Sequence, residues 1–169
     1  MLSHPQGYIF HEHVWLPYRN EFFDEYIKTL HLDVFKSFRD RQITNSMLKD
    51  SGNIRVLRSK NIKDDGSIIN IPGYDKYIDD ISDLQVGKYL NQHPIIMVSF
   101  TYNTRATILP NDTLPNGSIA VLTPKVLIPH DNLNIYSTPE FRRYYEIVKS
   151  RSRFTLNIDE CSLYYIGIK

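Results

Sequence analysis

The densest chemistry in the chain lies between Arg39 and Asn61. Within 23 residues it places Arg39, Arg41, Gln42, Asn45, Lys49, Arg55, Arg58, Ser59, Lys60 and Asn61. These are side chains that hydrogen-bond phosphates and the edges of bases: cations for the backbone and for guanine, amides for adenine. The segment reads as a short polar helix, a stop at Gly52, and a strand on which Ile54 and Val56 alternate with Arg55. Period-2 alternation sends the apolar side chains to one face and the others to the opposite face.

Other candidate chemistry is sparser. Asp79, Asp80 and Asp83 offer three carboxylates within five positions, the raw material of a metal-dependent nuclease. No Asp/Glu-x-Lys strand follows them, and acids at a helix start more often serve as caps. His11 and His13 flank Glu12 and would share one side of a strand, but two ligands do not make a zinc site. The chain has no Gly-x-x-x-x-Gly-Lys-Ser/Thr loop, no Gly-x-Gly-x-x-Gly turn and no Gly-x-Ser-x-Gly elbow. A glycine-rich turn for S-adenosylmethionine and an Asp/Asn-Pro-Pro-Tyr/Phe loop for an adenine amine are missing as well. The expectation is therefore a binding surface, with no catalytic residue and no metal or cofactor of its own.

With 169 residues, 41% apolar and 12% aromatic, the chain can bury a real core, and a single domain over 1–169 is expected. The net charge of +1 argues against a generally basic nucleic-acid binder. Charge is nevertheless segregated along the chain. Lys36, Arg39, Arg41, Lys49, Arg55, Arg58, Lys60 and Lys63 face only Asp40 and Asp50 in the same stretch. The following stretch reverses sign, with Asp64, Asp65, Asp75, Asp79, Asp80 and Asp83 against Lys76. A local positive face is the expectation. Cys161 is the only cysteine, so neither an intrachain disulfide nor a cysteine-based zinc site can form. The first ten residues lack a basic start followed by an apolar run. The longest clear apolar run, Ile95–Val98, falls far short of the roughly 20 residues a bilayer demands. A cytoplasmic protein without membrane contact is expected.

The elements that must position these residues read as follows. Tyr8–Leu16 suggests a strand closed by Pro17. Asn20 caps a helix whose Phe22, Phe23, Tyr26, Ile27 and Leu30 form a buried stripe. Asp64-Asp65-Gly66-Ser67 forms a turn, making a hairpin between the Arg55–Ile62 strand and a strand over Ile68–Ile71. Asp79–Asn91 looks helical. Ile95–Phe100, Arg105–Leu109 and Ser118–Thr123 are strands, with Lys125–Ile128 a short edge strand bracketed by prolines. Asn116-Gly117 is a turn in which Gly117 would supply a positive φ. Ser137-Thr138-Pro139-Glu140 starts a helix with Phe141, Tyr144, Tyr145 and Val148 on its inner face and Arg142, Arg143, Lys149, Arg151 and Arg153 elsewhere. Thr155–Ile158 and Ser162–Ile168 read as a loop and a final strand.

Several blocks carry a resemblance. Asp40-Arg41-Gln42-Ile43-Thr44, Ile54 through Ile62, Tyr102-Asn103-Thr104-Arg105-Ala106, Leu109-Pro110, Asn116 through Leu122, and Ser137 through Tyr145 with Leu156-Asn157-Ile158-Asp159 resemble the target-recognition region of restriction–modification enzymes. The similarity is to the C-terminal recognition domain of type II (type IIS-like) adenine-specific DNA methyltransferases, and more distantly to type I specificity subunits. It covers about residues 36–169, leaving 1–35 as an N-terminal strand and helix. The resemblance implies an α+β (mixed α/β) fold, a twisted, mostly antiparallel sheet with helices packed behind. It implies sequence-specific binding of double-stranded DNA in the major groove, with the target adenine flipped into a partner. That partner would be a methyltransferase catalytic domain or subunit holding S-adenosylmethionine, with a restriction endonuclease as a further associate. This chain would be a fragment or a separate specificity subunit. Carried over by motif, Arg41, Gln42, Arg58, Ser59, Lys60, Asn61, Tyr102 and Arg105 are DNA-surface candidates, with Arg142, Arg143 and Lys149 as weaker ones. Two other classes stay open: a metal-dependent nuclease fragment around Asp79, Asp80 and Asp83, and a protein-interaction module whose basic face meets an acidic partner.

Overall fold

A computed structural model describes residues 16, 19–100, 103–128, 130–149 and 158–169. The strand expected over Tyr8–Leu16, apart from buried Leu16, falls outside them, as do Tyr102, Arg151 and Arg153.

Helix α1, Glu21–Ile27, starts where its sequence says it should: Asn20 Oδ1 accepts the amide of Phe23 at 3.0 Å, and Glu21 and Asp24 occupy the first turn. Strand β1 is Phe35–Phe38. A 3₁₀ turn, Asn45–Met47, replaces the polar helix expected after Arg39. Strand β2, Ile54–Leu57, runs into a second 3₁₀ turn, Ser59–Asn61. Strand β3 is Lys76–Ile78, and Gln85–Tyr89 is 3₁₀, not the α-helix expected over Asp79–Asn91. Gly87 inside that segment weakens a regular helix. Strands β4 (Ile95–Phe100), β5 (Asn103–Ile108), β6 (Thr113–Pro115) and β7 (Ala120–Pro124) follow. After a 3₁₀ stretch, His130–Ser137, comes helix α2, Pro139–Val148. Its N-cap Thr138 accepts the Phe141 amide at 3.2 Å, and Pro139 sits in the first turn, where its missing N–H costs nothing. A short helix α3, Glu160–Leu163, capped by Asp159, stands in the C-terminal region read from sequence as loop and strand. Beyond it, only Ile168 bridges to a strand-like partner, His31. Lys125–Ile128 is irregular, not an edge strand.

Two sheets result, and the architecture is mixed α+β. Four antiparallel strands take the order β1-β7-β4-β5. Three shorter strands take the order β3-β2-β6, with β2 antiparallel to β3 and parallel to β6. The turn at Asp64–Ser67 does fold back, bridging Ile62 to Ile68, but β2 itself pairs with β3 and β6.

Alternation along β4 explains why its apolar run is unbroken. Ile95 and Met97 enter a core with α1, α2 and the C-terminal residues Tyr165 and Ile166. Ile96 and Val98 enter a second core with Leu57, Ile62, Leu109, Ile119 and Val121, under the small sheet. The first core is aromatic: the Phe23 and Tyr144 rings stack at 5.1 Å, and Tyr136 meets Phe141 edge-on at 5.0 Å. Three of its buried phenols bond to the C-terminal residues. Tyr136 donates to Gly167 O at 3.0 Å, Tyr144 to Tyr165 O at 3.1 Å and Tyr145 to Ser162 Oγ at 3.0 Å. No helix among the described residues is long and apolar enough to cross a membrane.

Candidate nucleic-acid interface

The polar blocks picked out in the sequence converge on the turn Ser59–Asn61. Asn61 is fully buried. Its Oδ1 accepts the Arg58 backbone N–H at 3.0 Å, and its backbone N–H donates to Arg58 O at 2.8 Å, so side chain and backbone together close the turn. Ser118 Oγ accepts the Ser59 amide at 3.0 Å, and the Asn116 amide donates to Leu57 O at 3.0 Å. Gly117 then lies against the backbone of Asp40, where an added Cβ would stand 2.4 Å from Asp40 O. The loop carrying Arg41 and Gln42 is thereby set beside the Asn116–Ser118 turn. Gly117 has no positive φ; close approach, not turn geometry, is what calls for glycine there.

Beneath the turn sits Arg105. It lies opposite Val98 in the β4–β5 register and therefore points into the second core, toward the small sheet. Only 6% exposed, it donates to Ser59 O at 3.2 Å and to Asp64 Oδ1 at 3.0 Å. Burial pushes its guanidinium pKa down, with Asp64 opposing. Behind the turn, Asp75 accepts from Asn61 Nδ2 at 2.6 Å, from Arg55 Nη2 at 3.0 Å and from the Ile71 amide at 3.1 Å. Burial works to raise the Asp75 carboxyl, but these donors outweigh it and hold it below the ordinary carboxylate value. Arg58 sits over Tyr74, its guanidinium carbon 3.7 Å from the ring centroid, and also donates to Tyr74 O. The Lys60 ammonium stands 5.6 Å from the same ring.

The candidates thus separate by exposure. Ser59, Asn61 and Arg105 are buried, and Arg58 is committed to Tyr74; these four frame the turn from within. Lys60 and Arg41 are exposed, and so is Lys63, which enters the sequence reading only as part of the charge run. Gln42 is exposed but tied to the neighbouring loop, donating to Asp83 O at 3.2 Å and accepting from the Gln85 amide at 2.7 Å. Arg142 and Arg143 line a cleft of about 260 Å³ with Asp64, Thr104, Ser137 and Glu146. Arg142 pairs with Glu146 at 3.3 Å, and the Arg143 guanidinium lies 4.2 Å from the Phe22 ring centroid. Lys149 is paired with Asp159 at the far end of α2. Burial of the neighbouring Arg39 lowers its pKa.

The segregated charges largely meet each other. Lys49 pairs with Asp79 at 2.8 Å, Arg55 with Asp75 at 3.0 Å, and Lys76 with Asp50. The antiparallel β2–β3 pairing lays the basic stretch along the acidic one, so the positive face shrinks to a few exposed cations. Asp79, Asp80 and Asp83 line one cleft of about 270 Å³, where the first two are engaged by local donors. Asp79 accepts from Lys49 and from the Asn53 amide, while Asp80 accepts from the amide and hydroxyl of Ser82 at 3.0 and 2.8 Å. Among the described residues, no group of three or more His, Cys, Asp or Glu side chains is placed to hold a metal ion.

Sequence reading misses Asp75 and Tyr74, the two residues that hold the turn from outside. Asp75 reads as one acid of a run; an aromatic and an acid directly after Pro72-Gly73 is the available signal. Neither a scan against protein-family models nor a search of curated proteins finds a match for this chain.

Proposed function

We propose that this chain is a non-catalytic recognition module for double-stranded DNA, of the target-recognition type found in adenine-specific restriction–modification methyltransferases. The observation that carries the reading is the assembly of blocks distant in sequence around one turn. Arg41-Gln42, Arg58 through Asn61, Arg105 and Asn116 through Ser118 are linked by backbone contacts and hydrogen bonds, and Arg41, Lys60 and Lys63 remain exposed at the rim. A buried frame with a cationic rim suits a duplex: rim cations neutralise phosphates, while a rigid scaffold holds polar groups in register with base edges. Methyl transfer then belongs to a separate catalytic domain or subunit that holds S-adenosylmethionine.

The test is binding of the full chain to a fluorescent mixed-sequence duplex across a salt series. If Arg41, Lys60, Lys63 and Arg143 each neutralise one phosphate, log K falls against log salt with a slope of about −3 to −4. Selection from a randomised duplex pool should then enrich one site. A chain that binds no duplex at low salt, or that enriches no site, refutes the reading.

A further inference from the structure

We infer that Asp75 is the positioning residue of this interface: through Asn61 and the adjoining Tyr74 it sets where Lys60 meets the phosphate backbone. The inference rests on the DNA reading above.

Asp75 makes no approach to solvent that would let it touch DNA itself; its side chain is 12% exposed. What it touches is the machinery of the turn. One carboxylate oxygen takes Asn61 Nδ2 at 2.6 Å, and the other takes Arg55 Nη2 at 3.0 Å and the Ile71 amide at 3.1 Å. Asn61 in turn fixes the backbone on either side of Lys60, since its Oδ1 and its backbone N–H both bond Arg58. Asn61 Nδ2 and Arg55 Nη2 also share Ile69 O, at 3.2 and 2.6 Å, so the strap 69–75 and the turn 58–61 are joined through one buried polar cluster. Tyr74, one residue before Asp75, presents its ring to Arg58 at 3.7 Å and Lys60 at 5.6 Å. Shifting Asp75 therefore moves both the backbone under Lys60 and the ring beside it.

The sign of the charge separates this role from a simple electrostatic one. An aspartate beside a phosphate-binding turn repels a polyanion, so removing its charge alone strengthens binding. If Asp75 positions Lys60, removing it weakens binding despite that gain.

The experiment uses the full chain, a fluorescent duplex carrying the site it selects, and salt from about 50 to about 200 mM at a temperature where every variant is folded by circular dichroism. Lys60→Ala should lower the salt slope by about one unit, because one phosphate is no longer neutralised. Asp75→Asn should lower it by about one unit as well, and the double variant should be no shallower than Lys60→Ala alone. If Asp75→Asn fails to fold, Asp75→Glu takes its place: it keeps the charge but lengthens the arm, and should show the same slope loss and the same dependence on Lys60. An Asp75 variant with the parental slope, one that binds more tightly than the parent, or one whose effect persists unchanged in the Lys60→Ala background overturns the inference. Failure of the parent to bind any duplex overturns the DNA reading beneath it, and with it this role for Asp75.

Discussion

Arg105→Ala gives the sharpest test of how the interface is divided between frame and contact. As a base reader, Arg105 would leave stability almost untouched when removed and would cost roughly 1–3 kcal/mol of discrimination at one base pair. Its environment argues for the opposite. At 6% exposure it bonds a buried carbonyl, Ser59 O, at 3.2 Å, and a hydrogen bond from a charged donor contributes about 1.5–3 kcal/mol. Its partner Asp64 has a side chain 70% exposed, so that pair adds only about 0–1 kcal/mol. Loss of the packed stem adds to this. The sum is about 2–4 kcal/mol of folding stability, which for a chain of this length lowers the melting temperature by roughly 4–16 °C. Arg105→Met, which keeps the stem and removes the guanidinium, should fall between variant and parent. Thermal and urea unfolding give the stability; duplex binding well below the transition gives the discrimination. A variant that melts with the parent yet loses preference at a single base pair would show that Arg105 leaves its pocket to read DNA.

Three other outcomes are expected. Gly117→Ala should cost about 1–3 kcal/mol by forcing a Cβ to within 2.4 Å of Asp40 O, while Gly73→Ala, with φ +73° and nothing within 4 Å, should cost only the roughly 1–2 kcal/mol of a left-handed residue; equal melting of Gly117→Ala and parent would refute the close contact. Thr138→Ala should destabilise by about 0.5–2 kcal/mol, because the Phe141 amide loses its cap; unchanged urea midpoints would show that α2 starts elsewhere. Asp75 has a folded-state pKa below its ordinary 3.8: burial raises it, but Asn61, the Ile71 amide and Arg55 lower it further. Its stabilisation is therefore complete above pH 3.8 and is lost as pH falls through the depressed value, so an acid titration of stability should be shallower for Asp75→Asn.

Much of the fold is legible in the sequence because strong local signals carry it. Asn20 and Thr138 cap where their residue types say they should, and the stripes Phe23, Tyr26 and Phe141, Tyr144, Tyr145 mark the buried faces of α1 and α2. Strands β4 and β7 follow from their apolar runs. The failures share a cause. The segments over Arg39–Gly52 and Asp79–Asn91 have helix-compatible residues but no sustained apolar stripe, and they settle into 3₁₀ turns held by tertiary contacts such as Gln42 with Asp83 and Gln85. β2 pairs in parallel with β6, nearly 60 positions on, at Arg55↔Thr113, and no local turn signal announces such a partner.

The site is legible by type but not by side. A polar block such as Arg58-Ser59-Lys60-Asn61 looks uniform when read as sequence, yet its four side chains have four fates: set over Tyr74, buried, exposed, and fully buried. Which fate each takes depends on what lies behind the turn, and that is β5, Ser118 and the strap ending at Asp75. Arg105 illustrates the limit most plainly. Its neighbours in sequence are small and polar, the usual mark of a surface, but the register with Val98 turns it toward a face that the small sheet covers. Hydrophobic alternation assigns sides only where apolar residues mark the inside; where a charged residue faces inward, the partners that make this tolerable, here Ser59 O and Asp64, come from another element altogether. A frame built from arginines and amides therefore reads from sequence as a contact surface, and burial alone separates exposed Lys60 from fully buried Asn61.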